Sequence, residues 1–305
     1  PDKPVIHPVI KGAVNSRVYG VPLIENDAII LPGVGCQNGC RFCSTSHKFD
    51  KKYTAFLGTG SDIYKACHQA EKKIRVNHFG LMDENFCKNE TTARQLLVEM
   101  EKNRKAYTFY TFSSAEAVTR LGVDFLVRTG VNLIWIGVES KANIFEKTKG
   151  IDIHALIANL QKHGISVLAS TILFLEHHTK KNIQEEIDWA VHLNSDLLQF
   201  MQLGPIPGTP LFKDYVSQGK LIKDFPWKKR HGQDTIWFHH PHFTLPETSI
   251  ILKNAFIKKY HTHGPGLINM AYTALNGYLT VKKEMEERDI QGLTWDPLTL
   301  RYIKQ

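Results

Sequence analysis

Three cysteines fall within one short stretch of the chain, in the spacing Cys36-x-x-x-Cys40-x-x-Cys43. Thiolates are soft ligands that suit zinc or iron–sulfur clusters, and grouped cysteines are typical of such sites. A structural zinc ion needs four protein ligands, and His47 is near enough in sequence to supply the fourth. A four-iron cluster needs one ligand per iron, so three cysteines would leave one iron open to a small chelating molecule. The spacing alone leaves both sites open.

The two other cysteines carry different expectations. Cys67 lies on the apolar face of a predicted helix, where a thiol packs as a small apolar group. Cys87 follows a predicted strand and is a candidate contact to a substrate. Five cysteines are an odd number, and the amino end shows no basic and apolar leader. We therefore expect free thiols in a cytoplasmic protein rather than a disulfide framework.

Apolar runs alternate with helical periods between residues 26 and 212. The predicted strands are 28–31, 78–82, 107–112, 131–138, 165–175 and 197–203. The helices between them are predicted to begin at Ser61, before Ala93, at a capping box over 113–116, at Asp152 and at Asn182. Continuous apolar strands separated by crossover helices indicate a parallel sheet buried on both faces. We predict an α/β fold, a partial (β/α)6 parallel barrel with a mainly helical C-terminal extension.

The chain is divided by this pattern into three predicted segments. Residues 1–25 form a lead-in or linker, residues 26–212 form the partial barrel, and residues 213–305 form an aromatic and helical region. The last segment would cover the open side of the barrel and select the substrate. In parallel barrels the chemistry lies at the carboxyl ends of the strands, and the three cysteines directly follow the first predicted strand.

The net charge is +8, and the positive residues occur mostly as pairs, with one denser cluster at 228–230. Charge pairs are typical of solvated helix faces, so nucleic acid is not expected as a partner. The longest strongly apolar stretch, 165–175, spans eleven residues. A bilayer span needs roughly 18 apolar residues, so no transmembrane segment is predicted.

The segment GCQNGCRFCSTS at 35–46 resembles the signature loop of the radical S-adenosylmethionine (SAM) superfamily. The resemblance implies that Cys36, Cys40 and Cys43 hold a [4Fe-4S] cluster whose open iron binds the amino and carboxylate groups of SAM. It further implies that electron transfer cleaves SAM to methionine and a 5′-deoxyadenosyl radical. An electron donor such as a flavodoxin or ferredoxin is then expected as a partner.

Segments at later strand ends extend the resemblance. In the family, LMDENF at 81–86 would lie near the SAM amino group, and IGVES at 136–140 near the ribose hydroxyls. The alternatives are a solvated turn for Asp83 and Glu84 and a helix-capping carboxylate for Glu139. The SAM contacts that the resemblance implies are Phe42, Asp83, Glu84, Asn85, Ser113, Glu139, Ser140, Leu203 and Gly204.

The segment QLGPIPGTP at 202–210 is similar to one in radical SAM proteins that carry a cobalamin-binding domain. The 305 residues contain no such domain, so we expect it to precede residue 1 or to be absent. The segment FLEHH at 174–178 departs from the glycine-rich turn common in the family. Histidines could line a substrate cleft or serve packing. The candidate substrate or cobalamin contacts are Cys87, His177, His178, His239 and His240.

The resemblance implies an enzyme that uses SAM to functionalise an unactivated carbon of a small molecule, lipid or peptide. Cobalamin-dependent C-methylation is the first expectation, and a radical rearrangement or ring closure without methyl transfer is the alternative. A tRNA methylthiotransferase would bring further cysteines and an RNA-binding barrel, which do not appear in the sequence. A zinc-stabilised nucleic-acid-binding module is the distant alternative.

Overall fold

The structure is a computed structural model that describes residues 6–12 and 27–287 together with short strands at 17–18, 21–22, 293–296 and 301–304. Most of the predicted lead-in at 1–25 therefore lies outside the described residues. Its one strand in the main sheet, Ile10–Lys11, pairs antiparallel with Asp27–Ile30.

Seven strands form the central sheet, and their spatial order is their order in the chain. The six strands after the first run parallel, and within the described residues the two edge strands do not pair with each other. The predicted α/β partial barrel is confirmed. The strands are β1 (Ile10–Lys11), β2 (Asp27–Ile30), β3 (His78–Leu81), β4 (Thr108–Ser113), β5 (Val131–Glu139), β6 (Ser166–Leu173) and β7 (Leu197–Gln202).

Helices connect successive strands and continue after the sheet ends. They are α1 (Ser44–Lys48), α2 (Gly60–Ile74), α3 (Glu90–Lys102), α4 (Ala115–Leu121), α5 (Val123–Thr129), α6 (Ile153–Lys162), α7 (Ile183–His192), α8 (Pro210–Ser217), α9 (Leu245–His263) and α10 (Gly266–Glu287). Short 3-10 turns lie at Phe86–Lys88 and Trp227–Lys229. Three pairs of two short strands complete the described structure: Arg17–Val18 with Val21–Pro22, Gly33–Val34 with Thr54–Ala55, and Leu293–Asp296 with Arg301–Lys304. None of the described helices carries an apolar stretch long enough to cross a bilayer.

Two helix starts differ from the sequence-based prediction. The N-cap of α2 is Thr59, two residues before the predicted Ser61, because Thr59 and Asp62 form a reciprocal capping box there. The predicted capping box over 113–116 is absent, since Ser113 ends β4 and its hydroxyl donates to Asn85. The single helix predicted over 114–130 is two helices, which separate at Gly122, where φ is +83°.

The C-terminal helices α9 and α10 pack against α6, α7 and β7. The buried Lys259 on α9 donates to the Ser195 carbonyl at 2.8 Å. Asp196, which is also buried, accepts from Val167 at 2.8 Å and from Thr273 on α10 at 2.5 Å. These three hydrogen bonds lie at the amino ends of β6 and β7. These helices therefore stabilise the edge of the sheet away from the strand carboxyl ends.

Candidate active site

A cavity of about 420 Å³ opens at the carboxyl ends of the parallel strands. The three clustered cysteines line it together with aromatic, polar and charged side chains from the strand-end loops. Ten residues predicted from sequence to hold a cluster or SAM lie in its wall: Cys36, Cys40, Phe42, Cys43, Glu84, Asn85, Ser113, Glu139, Leu203 and Gly204.

The cysteine loop leaves β2 and is closed by backbone interactions on both sides. At its base, Gly33–Val34 pairs with Thr54–Ala55. At its far end, Cys43 donates to the Cys40 carbonyl at 3.0 Å and is the residue from which α1 begins. All three cysteines are free and half-buried, and burial raises the pKa of the Cys40 thiol. The loop therefore presents three partly shielded thiols to one cavity.

The geometry around the thiols does not suit a single zinc ion. Thiolates that share a tetrahedral zinc lie roughly 2.3 Å from the same ion, so their sulfurs must be close together. In the described part of the chain, one group of three possible metal ligands has all its ligand atoms within 4.8 Å of one another. It consists of His177, His178 and Glu186 and contains no cysteine. His47 instead places its Nε2 3.1 Å from the Cys40 carbonyl. No three of Cys36, Cys40, Cys43 and His47 have ligand atoms that close together, as a shared zinc ion would require.

Two buried polar atoms in the cavity wall have no hydrogen-bond partner among the described residues. They are the hydroxyl of Ser46, directly beyond the cysteine loop, and Oε1 of Gln202 at the end of β7. A buried polar atom without a partner costs about 1–3 kcal/mol, so such atoms point to a missing ligand. Three thiols with orphaned polar atoms beside them fit an iron–sulfur cluster and a polar small molecule.

Glu139 reaches the cavity through an irregularity at the end of β5. Ser170 pairs with Gly137 and Thr171 pairs with Glu139, so Val138 is an extra residue in the form of a β-bulge. Glu139 itself adopts a left-handed backbone with φ of +62°. A Cβ at Gly137 would lie 2.4 Å from a Glu139 carboxylate oxygen, so any larger residue there would displace the Glu139 side chain from this position.

Lys147 forms an ion pair with Glu139 inside the cavity. The Glu139 side chain is 6% exposed and that of Lys147 16%. Burial lowers the pKa of Lys147, but the attraction of Glu139 and Cys40 outweighs it, so the pKa is raised above its usual value. The ammonium group is therefore charged at neutral pH and lies in the field of the cysteine loop.

The polar residues after β3 have different roles: some hold neighbouring segments together, and others line the cavity. Asp83 is buried outside the cavity wall, where it accepts from the Tyr53 hydroxyl at 2.6 Å and the Asn85 amide at 2.8 Å. Asn85 accepts from the Ser113 hydroxyl at 2.8 Å, which joins the ends of β3 and β4. Glu84 lies in the wall, and burial raises the pKa of its carboxyl group.

Ser140, His177 and His178 lie together outside the cavity wall, around the buried Glu186 of α7. Ser140 donates to Glu186 at 3.1 Å, and His178 Nε2 lies 3.4 Å from the same carboxylate. The Leu175 amide donates to His178 Nδ1 at 3.1 Å, so the neutral ring carries its proton on Nε2. A metal ion would need the Nε2 lone pair, so we interpret the group as a structural histidine–carboxylate contact.

The other candidate substrate contacts also lie outside the cavity wall. His240 is buried, with Nε2 3.2 Å from the Leu175 carbonyl, and the His239 side chain is exposed. Cys87 is fully buried in the core, and burial raises its pKa to about 12. Their predicted role in substrate binding stays a prediction.

Several wall residues were not found by the sequence analysis. They come from loops distant in sequence from the cysteines, such as Lys147 after β5 and Arg230, His231 and Trp237 after α8. The Trp237 indole donates to the Pro205 carbonyl at 3.2 Å and lies against Gly204, where a Cβ would be 2.5 Å from the ring. The local sequence features that could have pointed to these wall residues are the basic cluster at 228–230 and the aromatic run that begins at Trp237.

Replacing Lys147 with methionine should destabilise the chain, because the Glu139 carboxylate would stay buried without its counter-charge. We expect a loss of about 3 kcal/mol, the lower end for breaking a buried pair. The double variant Lys147→Met with Glu139→Gln should recover much of this loss, since neither charge remains. Urea unfolding at pH 7 measures the free energy of unfolding of both variants. Lys149→Met is the control, because Lys149 is exposed and pairs with the exposed Glu146. A single variant as stable as the wild type would contradict the buried pair.

No family model matches the chain. An uncharacterized methyltransferase of Pyrococcus horikoshii is 23% identical over 252 residues, which cover 80% of this chain and 52% of the relative. The bacteriochlorophyllide d C-12(1)-methyltransferase of Chlorobaculum tepidum is 28% identical over 213 residues, which cover 66% of this chain and 44% of the relative. The chain thus spans about half the length of the curated relatives it matches.

Two solved structures share the fold. The radical SAM methyltransferase TsrM from Kitasatospora setae, solved with cobalamin and a [4Fe-4S] cluster bound, matches with a TM-score of 0.52 and 16% identity over 62% of this chain and 39% of that one. The radical SAM enzyme HemN from Escherichia coli, a coproporphyrinogen III oxidase, matches with a TM-score of 0.51 and 14% identity over 78% of this chain and 53% of that one. The chain therefore has the fold of these two radical SAM enzymes, as the sequence resemblance implied.

Proposed function

We propose that this chain is the catalytic part of a radical SAM enzyme in which Cys36, Cys40 and Cys43 hold a [4Fe-4S] cluster. The observation that carries the proposal is the convergence of three half-buried thiols and a buried ion pair on one strand-end cavity. The shared fold and the relatives named as methyltransferases support it. In this proposal residues 26–212 carry the chemistry, and residues 213–305 help to select the substrate.

When bound, a cluster with one iron free of protein ligands supplies an electron to the sulfonium of SAM. The chain fixes the three thiols and shields the reacting atoms from water. Phe42, between two of the thiols in sequence, packs edge-on against Phe145 at 5.6 Å. The rings of Phe112 on β4 and Trp135 on β5 lie 5.0 Å apart between centroids and are tilted by 32°. These rings give the cavity apolar walls next to its charged groups.

Glu139 is the proposed acceptor for the ribose hydroxyls of SAM. Its carboxylate is held by Lys147, so it has one oriented partner before any ligand binds. Hydroxyl donors would satisfy its remaining lone pairs. Asp83, Asn85 and Ser140 are engaged with protein groups and act in this proposal by positioning their neighbours. An external reductant such as a flavodoxin or ferredoxin would supply the electron, and the free thiols suit the cytoplasm.

We further propose that the reaction is C-methylation with cobalamin. The loop after β7 supports this, because Leu203, Gly204 and Ile206 line the cavity and its sequence resembles that of cobalamin-dependent members. Sites for large ligands commonly lie at a boundary between domains. The cobalamin would therefore need a second wall from outside this chain. The curated relatives are about twice as long as the region over which they match the chain.

Replacing Cys40 with alanine should abolish cluster assembly, because each thiol ligates a different iron. Iron and labile sulfide per chain, measured after anaerobic reconstitution, should fall together with the broad visible absorption of the cluster. Cys67→Ala is the matched control, since Cys67 is buried on α2 away from the cavity wall. Full iron and sulfide in Cys40→Ala would exclude the proposed ligand set.

Replacing Glu139 with alanine should weaken SAM binding, because the hydrogen bonds from the ribose would lose a charged acceptor. Such bonds are worth about 1.5–3 kcal/mol, which corresponds to a roughly 10- to 150-fold higher Kd. Equilibrium dialysis with the reconstituted chain measures the change. Glu185→Ala removes an exposed carboxylate of α7 and should leave the Kd as it is. Equal affinity in Glu139→Ala would assign Glu139 a purely structural role.

The 305-residue chain should bind SAM but retain little cobalamin, because it supplies only one wall of that site. Corrin absorbance after gel filtration of the chain with hydroxocobalamin measures retention. Full-length protein loaded with cobalamin should yield a methylated product. Formation of 5′-deoxyadenosine by that protein without any methylated product would instead favour the rearrangement or ring-closure reaction.

A further inference from the structure

One wall of the cavity carries an arginine that the proposed chemistry does not use. Arg230, His231 and Gly232 line the cavity directly after the 3-10 turn Trp227–Lys229. The amide of Gln202, at the end of the edge strand β7, donates to the Gly232 carbonyl at 2.7 Å. The backbone of this segment is therefore attached to the sheet at the point where its side chains enter the cavity wall.

The Arg230 guanidinium is held in one orientation by its neighbours. It lies over the Trp227 ring at 4.0 Å from the centroid, and its Nε and Nη2 donate to the Phe225 carbonyl at 3.2 and 2.9 Å. Those two hydrogen bonds use two of the five N–H groups of an arginine, which leaves three for a ligand. A guanidinium that is already oriented loses little conformational entropy when it binds.

The charge of Arg230 has no acidic counterpart among the described residues. Its partners there are the Trp227 ring and the Phe225 carbonyl, neither of which is an anion. The two carboxylates in the cavity wall have other partners, since Glu139 pairs with Lys147 and Glu84 accepts from Thr45 at 3.4 Å. The exposed Lys228 and Lys229 precede Arg230 and add positive charge at the same place.

Aromatic side chains in the same cavity restrict which kinds of anionic ligand can bind Arg230. Phe112, Trp135 and Trp237 place aromatic surface in the same cavity. We propose that Arg230 binds a carboxylate or phosphate group of the substrate, and that the substrate joins this anionic group to a flat or apolar body. The assignment to a substrate rests on the proposed function, whereas the anion site itself rests only on the geometry around Arg230.

The test uses small probes, because the whole substrate is not identified. The 305-residue chain is titrated with indole-3-propionate, with its uncharged amide and with inorganic pyrophosphate, and binding is followed by ligand-observed NMR. The carboxylate should bind about tenfold more tightly than the amide, the size expected for one charge-assisted hydrogen bond. Displacement of the carboxylate probe by pyrophosphate would indicate a phosphate-bearing substrate, and its absence a carboxylate.

Arg230→Gln should abolish the preference for the carboxylate, and Arg230→Lys should keep part of it, since lysine retains the charge without the planar fork. Lys229→Gln is the matched control, with the same loss of charge at the adjacent exposed residue. Thermal unfolding checks that each variant is folded, because Arg230 also holds the Phe225 carbonyl.

Three outcomes would overturn the proposal: no preference for the carboxylate in the wild type, equal loss in Lys229→Gln, or an equal loss of SAM affinity in Arg230→Gln. The last would place the SAM carboxylate, rather than a substrate anion, on Arg230. Iron content and SAM cleavage report on the proposed function and not on this preference. A chain that assembles the cluster without any anion preference therefore contradicts the anion site alone, and the reverse result contradicts the cluster alone.

Discussion

The cavity depends on a carboxylate and an ammonium group that are buried next to each other. Glu139 reaches the cavity where β5 has a bulge at Val138, and Gly137 has no side chain to displace it. A carboxylate with so little exposure requires a counter-charge, so the loop after β5 must return to the strand end with Lys147. That return also brings a positive charge into the field of the cysteine loop. One ion pair thus links the chemistry of two strand ends.

The features that sequence could predict are those encoded over a few residues. Cysteine spacing predicts a metal-binding loop because ligands in one turn reach one site. Continuous apolar runs predict the parallel strands, and Glu139 is conspicuous as a carboxylate that ends such a run. Helix boundaries are harder to predict from sequence, because they are decided by a competing N-cap at Thr59 and by the hydrogen bond from Ser113 to Asn85.

The rest of the site depends on contacts between distant parts of the chain. Nothing near Asp83 in sequence indicates that Tyr53 will occupy its carboxylate, although the two are hydrogen-bonded. Likewise, Arg230 belongs to a basic cluster of a kind that usually faces solvent, and only the pairing of Gly232 with Gln202 carries it into the cavity wall. Predicting which polar groups are available for a ligand requires knowledge of which are already used within the fold.

The attachment of the Arg230 segment to β7 has an evolutionary consequence. The connecting hydrogen bond joins two backbone groups, so it constrains Gly232, whose φ is +74°, but not the side chains at 230 and 231. Substitutions there can change the shape and charge of the cavity while the segment keeps its place and the cysteine loop is untouched. Drift in this one short segment would therefore change what the cavity accepts, at little risk to the cysteine loop. Relatives at 23–28% identity are expected to differ most in this part of the wall.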